Sequence, residues 1–171
     1  MSNDIHKKAE EKIKEWLNHP ELGYSIDRIP DQMTGLFGSK NICDFSCFKS
    51  PNMYYIESKS TWEDRFDFSL ITEYQHDELL KKSKIDHVWG LVVVLFLGHK
   101  RAFILDIRDI EGLMQQGTKS VNIKKLSKWN IPFAEIPTIP NKRKQLLDYE
   151  GDIVEMVDGI EAWRKNNQEE Y

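Results

Sequence analysis

Three residues stand out for the chemistry their spacing permits: Asp44, Glu57 and Lys59. Glu57 and Lys59 are two apart in a stretch that reads as a strand, so both side chains leave the same face. Asp44 opens the segment that reads as the hairpin partner, which can bring it close to Glu57. The result is two carboxylates and one ammonium at the end of a hydrophobic hairpin. Two carboxylate oxygens and a backbone carbonyl suit Mg²⁺, a hard cation that keeps several waters. A lysine beside such an ion can position or deprotonate an attacking water, while the metal neutralises charge on a phosphoryl oxygen. A Glu-x-Lys pair on a strand is ordinarily a solvated face. Here the flanks, Met53 to Ile56 and Phe45 to Phe48, are apolar, so the charge is out of pattern.

The elements that must hold these residues follow from periodicity. Ile5, Ala9, Ile13, Trp16 and Leu17 recur at helical spacing, with Asn3 or Asp4 as a cap and His19-Pro20 and Gly23 as the stop. Tyr24 to Ile29 predicts a short strand, and residues 30 to 42 carry loop chemistry. Asp44 to Phe48 and Met53 to Ser60 predict a hairpin around Ser50-Pro51-Asn52. Phe66 to Lys82 predicts a helix through Phe68, Ile71, Leu79 and Leu80. Trp89 to Leu97 is the most apolar stretch, and its β-branched residues predict a central strand. Ala102 to Leu105 predicts a strand, Ile107 to Met114 a short helix, and residues 151 to 165 a last helix. Pro132, Pro137 and Pro140 force extended backbone between them. The expected fold class is mixed α/β, a sheet flanked by helices.

Composition sets the outer bounds. The chain has 171 residues, suiting one compact unit, and a formal net charge of −4. From Asp148 onward there are eight acidic and two basic residues, so residues 1 to 147 carry a net +2. That divides the chain into a main domain, 1–147, and an acidic helix and tail, 148–171. The tail is expected to sit away from a nucleic-acid face, or to shield it. No apolar run is long enough to span a membrane, and the first residues lack a secretory pattern. Cys43 and Cys47, about 13 Å apart on one strand, are too far for a disulfide. They read as reduced residues of a cytosolic protein, and the five histidines add no zinc-ligand spacing.

In their order, these pieces resemble the PD-(D/E)xK nuclease superfamily, and within it the RecU-type Holliday junction resolvases. The resemblance rests on Ala9-Glu10-Glu11-Lys12-Ile13, Cys43-Asp44-Phe45 and Tyr55-Ile56-Glu57-Ser58-Lys59-Ser60-Thr61. It continues through Phe66, Tyr74-Gln75, the apolar strand 90–97 and Ile131-Pro132-Phe133, and so spans residues 5 to 135. It implies a restriction-endonuclease-like fold and an endodeoxyribonuclease that cuts branched DNA in the cytoplasm of a bacterial or phage-infected cell. It also implies Mg²⁺, with Mn²⁺ as substitute, and a homodimer. By position it implies Asp44, Glu57 and the Ser58 carbonyl as metal ligands, with Lys59 acting on the water. Glu10 would join the metal shell from the first helix, with Glu11 as the neighbouring choice. Gln75 would support the site and Thr61 the scissile strand. Basic candidates for DNA contact are Arg28, Lys40, Lys49, Arg65, Lys81, Lys82 and the Lys100-Arg101 turn. Trp62 is expected to pack rather than stack.

Two departures accompany the resemblance. The superfamily's Pro-Asp pair is Cys43-Asp44 here, and Pro30-Asp31 is a rival placement; Asp44 is preferred because it opens an alternating strand beside Glu57. RecU-type enzymes carry a long projecting stalk before this strand, where residues 30 to 43 give fourteen positions. Met33, Leu36 and Phe37 either form a small apolar wedge for unstacked bases or pack on the domain. The alternatives in function are another endonuclease of the fold, of restriction, homing or repair type, and a non-catalytic DNA-binding recombination accessory module.

Overall fold

The computed structural model describes residues 2–30, 40–139 and 148–168. Asp31, Met33, Leu36 and Phe37, and with them the rival placement and the wedge, lie outside the described residues.

Helix α1 (Ser2–Leu17) buries Ala9, Ile13, Trp16 and Leu17 along one side. The helix already runs at Ser2, so Asn3 and Asp4 lie inside it rather than ahead of it, and Asp4 sits in the first turn, where its charge favours the N-terminal dipole. After a 3-10 turn at Pro20–Leu22 come β1 (Ser25–Arg28), β2 (Phe45–Lys49) and β3 (Asn52–Thr61). β2 and β3 form the expected hairpin, with a cis Ser50–Pro51 bond at the turn.

The helix expected from Phe66 begins later. Phe66 lies in β4 (Arg65–Asp67), and a 3-10 turn, Phe68–Leu70, follows. Helix α2 covers only Glu73–Lys82. The local reason is two competing caps. The Asp67 carboxylate accepts from the Ser69 N–H and stops the chain short, while Thr72 and Gln75 form a reciprocal capping box that starts α2. The apolar spacing of Phe66 and Phe68 serves burial in the core.

β5 (Val88–Phe96) is the central strand, followed by β6 (Arg101–Asp106) and α3 (Ile107–Gln115). The segment read only as extended holds β7 (Ser120–Asn122), β8 (Ala134–Ile136) and β9 (Thr138–Ile139). Last come β10 (Asp148–Tyr149) and α4 (Ile153–Gln168). The main sheet has six strands in the order β1-β2-β3-β5-β6-β8. β3 and β5 are parallel, joined across α2, and the other pairs in this sheet are antiparallel. β4–β7 and β9–β10 form small ribbons.

β5 shows why a continuous apolar run was needed. Leu91, Val93 and Leu95 face α1 and α4, whose Ile13, Trp16, Ile153, Val157 and Ile160 close one layer. Val92, Val94 and Phe96 face α2 and α3, with Leu79, Ile107 and Ile110 in the other layer. Each such side chain contributes about 1.5–3 kcal/mol by leaving water. Gly90 lets α2 approach the sheet: a Cβ there would stand 2.7 Å from the Leu79 carbonyl oxygen. The mixed α/β class expected from the sequence is the observed one.

Candidate active site

The β2–β3 register sets the carboxylates together. Phe45 pairs with Ile56, and the Asp44 N–H donates to the Ile56 carbonyl at 3.1 Å. One step further along the same ladder places Asp44 across from Glu57, on one face. Asp44 also reaches sideways: its Oδ2 accepts the Ser58 N–H at 2.7 Å. Backbone groups alternate along a strand, so the Ser58 carbonyl faces the same edge as Ile56 and Asp44. The β2 ladder ends there, and beyond Ile56 this edge of β3 has no strand partner among the described residues.

Glu57 is only 2% exposed. Its Oε1 meets Lys59 Nζ at 2.7 Å, whereas Oε2 is buried with no hydrogen-bond partner among the described residues. Burial, and next the Asp44 charge, push the Glu57 carboxyl up to about 7, although Lys59 pulls the other way. Lys59 Nζ donates to Gln75 Oε1 at 3.4 Å. The same oxygen accepts the Thr72 N–H at 3.1 Å, so the cap of α2 also holds the side chain that touches Lys59.

These residues fit a divalent cation. A buried carboxylate oxygen without a donor, facing a second carboxylate, leaves negative charge that a cation would neutralise. Two carboxylates and an edge carbonyl suit Mg²⁺, which completes its shell with water. Among the described residues no three His, Cys, Asp or Glu side chains are grouped closely enough to hold a metal ion, so the carboxylate pair stands without a third such side chain.

Glu10 approaches Ser58 and Lys59 from α1. His6, Glu10, Ser58, Lys59, Ser60 and Leu70 line a cleft of about 270 Å³. Arg28, on the strand beside β2, holds Glu10 Oε2 at 2.8 Å. Thus Asp44, Glu57, Ser58, Lys59 and Gln75 are brought together, with Glu10 across the cleft. A larger hollow, of about 580 Å³, is lined by Phe68, Ile71, His76 and Met114 and holds none of these groups.

A profile described as "RecU: Recombination protein U" matches residues 5–153. The chain belongs to the RecU family. The match runs from α1 through β10 to the start of α4, further than the motifs at 5 to 135. Among solved structures, one similarity is to Hjc of Archaeoglobus fulgidus, titled a Holliday junction resolvase from an archaeal hyperthermophile. It has 14% identity over 60% of this chain and 75% of that one, with a TM-score of 0.41. Nothing matches among curated proteins.

Cys43, directly before Asp44, is buried and donates through Sγ to the Phe45 carbonyl. Burial, and next Glu57, push its thiol up to about 12, so it packs as a neutral group. Cys47 is also free and buried, as the strand spacing predicted.

The basic candidates divide by position. Arg28 lies beside the site through Glu10, and Arg65 and Lys40 are exposed. Thr61 is buried, and its Oγ1 accepts the Glu63 N–H at 3.1 Å. Lys49 sits at the turn end of the hairpin and donates to the Leu22 carbonyl, whereas Lys82 lies 4.6 Å from the centre of the Tyr55 ring, two residues before Glu57 on β3. Lys81 pairs with Glu78 at 3.8 Å. Lys100 takes a left-handed turn, and Arg101 binds Glu135 through two nitrogens. Trp62 does not pack as expected: it is 53% exposed, because β3 ends at Thr61 and the chain turns outward there. His6 was not singled out. The signal was its place four residues before Glu10, one turn away on the same helix side.

Proposed function

We propose that this chain is a Mg²⁺-dependent endodeoxyribonuclease that resolves four-way DNA junctions. The observation that carries the reading is the buried Glu57 facing Asp44 with one carboxylate oxygen unsatisfied. Membership of the RecU family supports recombination as the setting. Asp44, Glu57 and the Ser58 carbonyl would hold the ion, with Glu10 closing the shell from α1. When bound, a divalent cation supplies Lewis-acid stabilisation of the phosphoryl oxygens.

The protein's own residues divide the remaining work. The Asp44–Ser58 contact keeps the carboxylate turned toward the open edge of β3. Lys59 stands between Glu57 and Gln75 and orients the attacking water, its ammonium offsetting charge that builds on the phosphate. Attack in line with the 3′ oxygen leaves 5′-phosphate and 3′-hydroxyl ends. Symmetric cutting of a junction requires two such sites related by a two-fold axis, so the proposed assembly is a homodimer. Mn²⁺ should substitute for Mg²⁺.

The test is cleavage of four-way junction, flap, nicked and linear duplex DNA with Mg²⁺, by wild type and Asp44→Asn. The expected result is preferential junction cutting, lowered by about a thousandfold in the variant. Equal cutting of linear duplex points to another endonuclease of the fold. Cutting by Asp44→Asn at the wild-type rate removes the assigned site.

A further inference from the structure

His6 sits in the second turn of α1, which packs along β3. Its Nδ1 is hydrogen-bonded to the Ser60 hydroxyl, a contact spanning 54 residues of sequence. That bond fixes the ring from across the cleft. The ring then lines the same cleft as Glu10, Ser58 and Lys59. No second hydrogen-bond partner occupies its Nε2 among the described residues. An imidazole whose Nδ1 accepts the Ser60 proton carries its hydrogen on Nε2, and so does a protonated ring. These two forms offer an N–H donor to the cleft, whereas a ring donating from Nδ1 to Ser60 would present Nε2 as an acceptor; the role inferred below belongs to the Nε2–H form.

Ser60 lies two residues beyond Ser58, about 7 Å along the strand. The His6 donor is therefore offset from the carboxylate pair along the unpaired edge of β3, and it stands on the α1 side of the strand, opposite the face from which Glu57 and Lys59 emerge. A strand whose scissile phosphate meets Asp44 and Glu57 would bring a neighbouring phosphate toward this ring. The cleft is also narrow in chemistry: apart from Leu70 its lining is polar or charged. It suits a sugar-phosphate backbone better than a base.

We infer that His6, held by Ser60, is a phosphate-binding residue that positions the scissile DNA strand next to the metal site. The inference rests on the nuclease reading above, and its failure is separable from the failure of that reading. Hydrogen bonds to a charged group of this kind correspond to about a tenfold effect on binding.

The experiment is steady-state cleavage of a labelled four-way junction with Mg²⁺, by wild type, His6→Ala, His6→Gln and Ser60→Ala. Junction binding is measured in parallel in an Asp44→Asn background, where turnover does not interfere. His6→Ala should raise KM and the dissociation constant about tenfold with kcat changing less than about threefold. His6→Gln, which keeps an N–H donor, should recover most of that loss. Ser60→Ala should show a smaller KM increase because the ring loses its anchor. Should His6→Ala not fold, as read from its denaturation midpoint, the His6→Gln and Ser60→Ala pair still decides. Unchanged KM and binding in the folded variants overturns the inference, and so does a fall in kcat at constant KM. An active wild type with those results leaves the nuclease reading intact. A wild type that never cuts, with Asp44→Asn indistinguishable from it in junction binding with and without Mg²⁺, removes the nuclease reading itself.

Discussion

At the scale of single residues, the site is defined by a conflict that the protein leaves unresolved. Glu57 is buried, faces Asp44, and keeps one oxygen without a donor among the described residues. Its carboxyl rises from 4.5 to about 7, first through burial and then through Asp44. Between those two values the metal-free folded protein retains a proton that the unfolded chain has released. Stability of the metal-free protein therefore falls as pH rises from about 4.5 to about 7, and this contribution is flat outside that window. Glu57→Gln should lose that part of the slope, which urea midpoints of both proteins across the range will measure. Parallel slopes would mean that the carboxyl is not held up in solution. Because a ligand carboxylate must be deprotonated, Mg²⁺ affinity should strengthen as pH rises toward about 7 and level off above it.

At the scale of elements, the site depends on how α2 meets β5 and β3. α2 carries Gln75 to Lys59, and its depth is set where Leu79 lies over Gly90. A methyl group at Gly90 would meet backbone, which cannot turn aside as a side chain can. Gly90→Ala should cost about 1–3 kcal/mol and lift α2 from the sheet. The expected readouts are a lower denaturant midpoint and a reduced kcat from a displaced Gln75. A variant as stable and as active as wild type would show that Gly90 does not set this spacing. The helix boundary makes the same point from the sequence side. Thr72 and Gln75 spell a capping box, yet the apolar spacing of Phe66, Phe68 and Ile71 runs smoothly into α2. Periodicity alone cannot separate a buried ribbon and 3-10 turn from a longer helix, because both bury the same side chains.

At the scale of the whole molecule, the acidic C-terminal segment is joined to the rest by packing and by charge. Ile153, Val157 and Ile160 of α4 lie in the same apolar layer as α1. Beyond them, Arg164 binds Asp109 at 2.6 Å and Asp106 at 3.3 Å, and Arg108 binds Asp106 and Glu161. Asp106 is fully buried, and both arginines reach its carboxylate. Arg164→Ala should destabilise the protein by about 3 kcal/mol, because it leaves buried carboxylates short of a partner. Chemical denaturation measures that cost. The network lies among β6, α3 and α4 rather than at the α1–β3 cleft. Junction binding by the folded variant should therefore match wild type. Weakened binding by the folded variant would instead connect α4 to the DNA face.

The sequence by itself determined the local parts: the hairpin, the apolar central strand, the α1 stripe, two reduced cysteines, and Asp44, Glu57 and Lys59 as charges out of place in apolar strands. These depend on spacing, and spacing is a one-dimensional property. The order of strands, the parallel pairing of β3 with β5 and the assignment of β8 to the main sheet were decided only in three dimensions. So were the meeting of His6 with Ser60 and the seating of Lys82 over Tyr55. Each depends on which distant segment closes the core over a given face. No local periodicity encodes that choice, because many pairings would bury the same apolar residues and only their joint packing selects one.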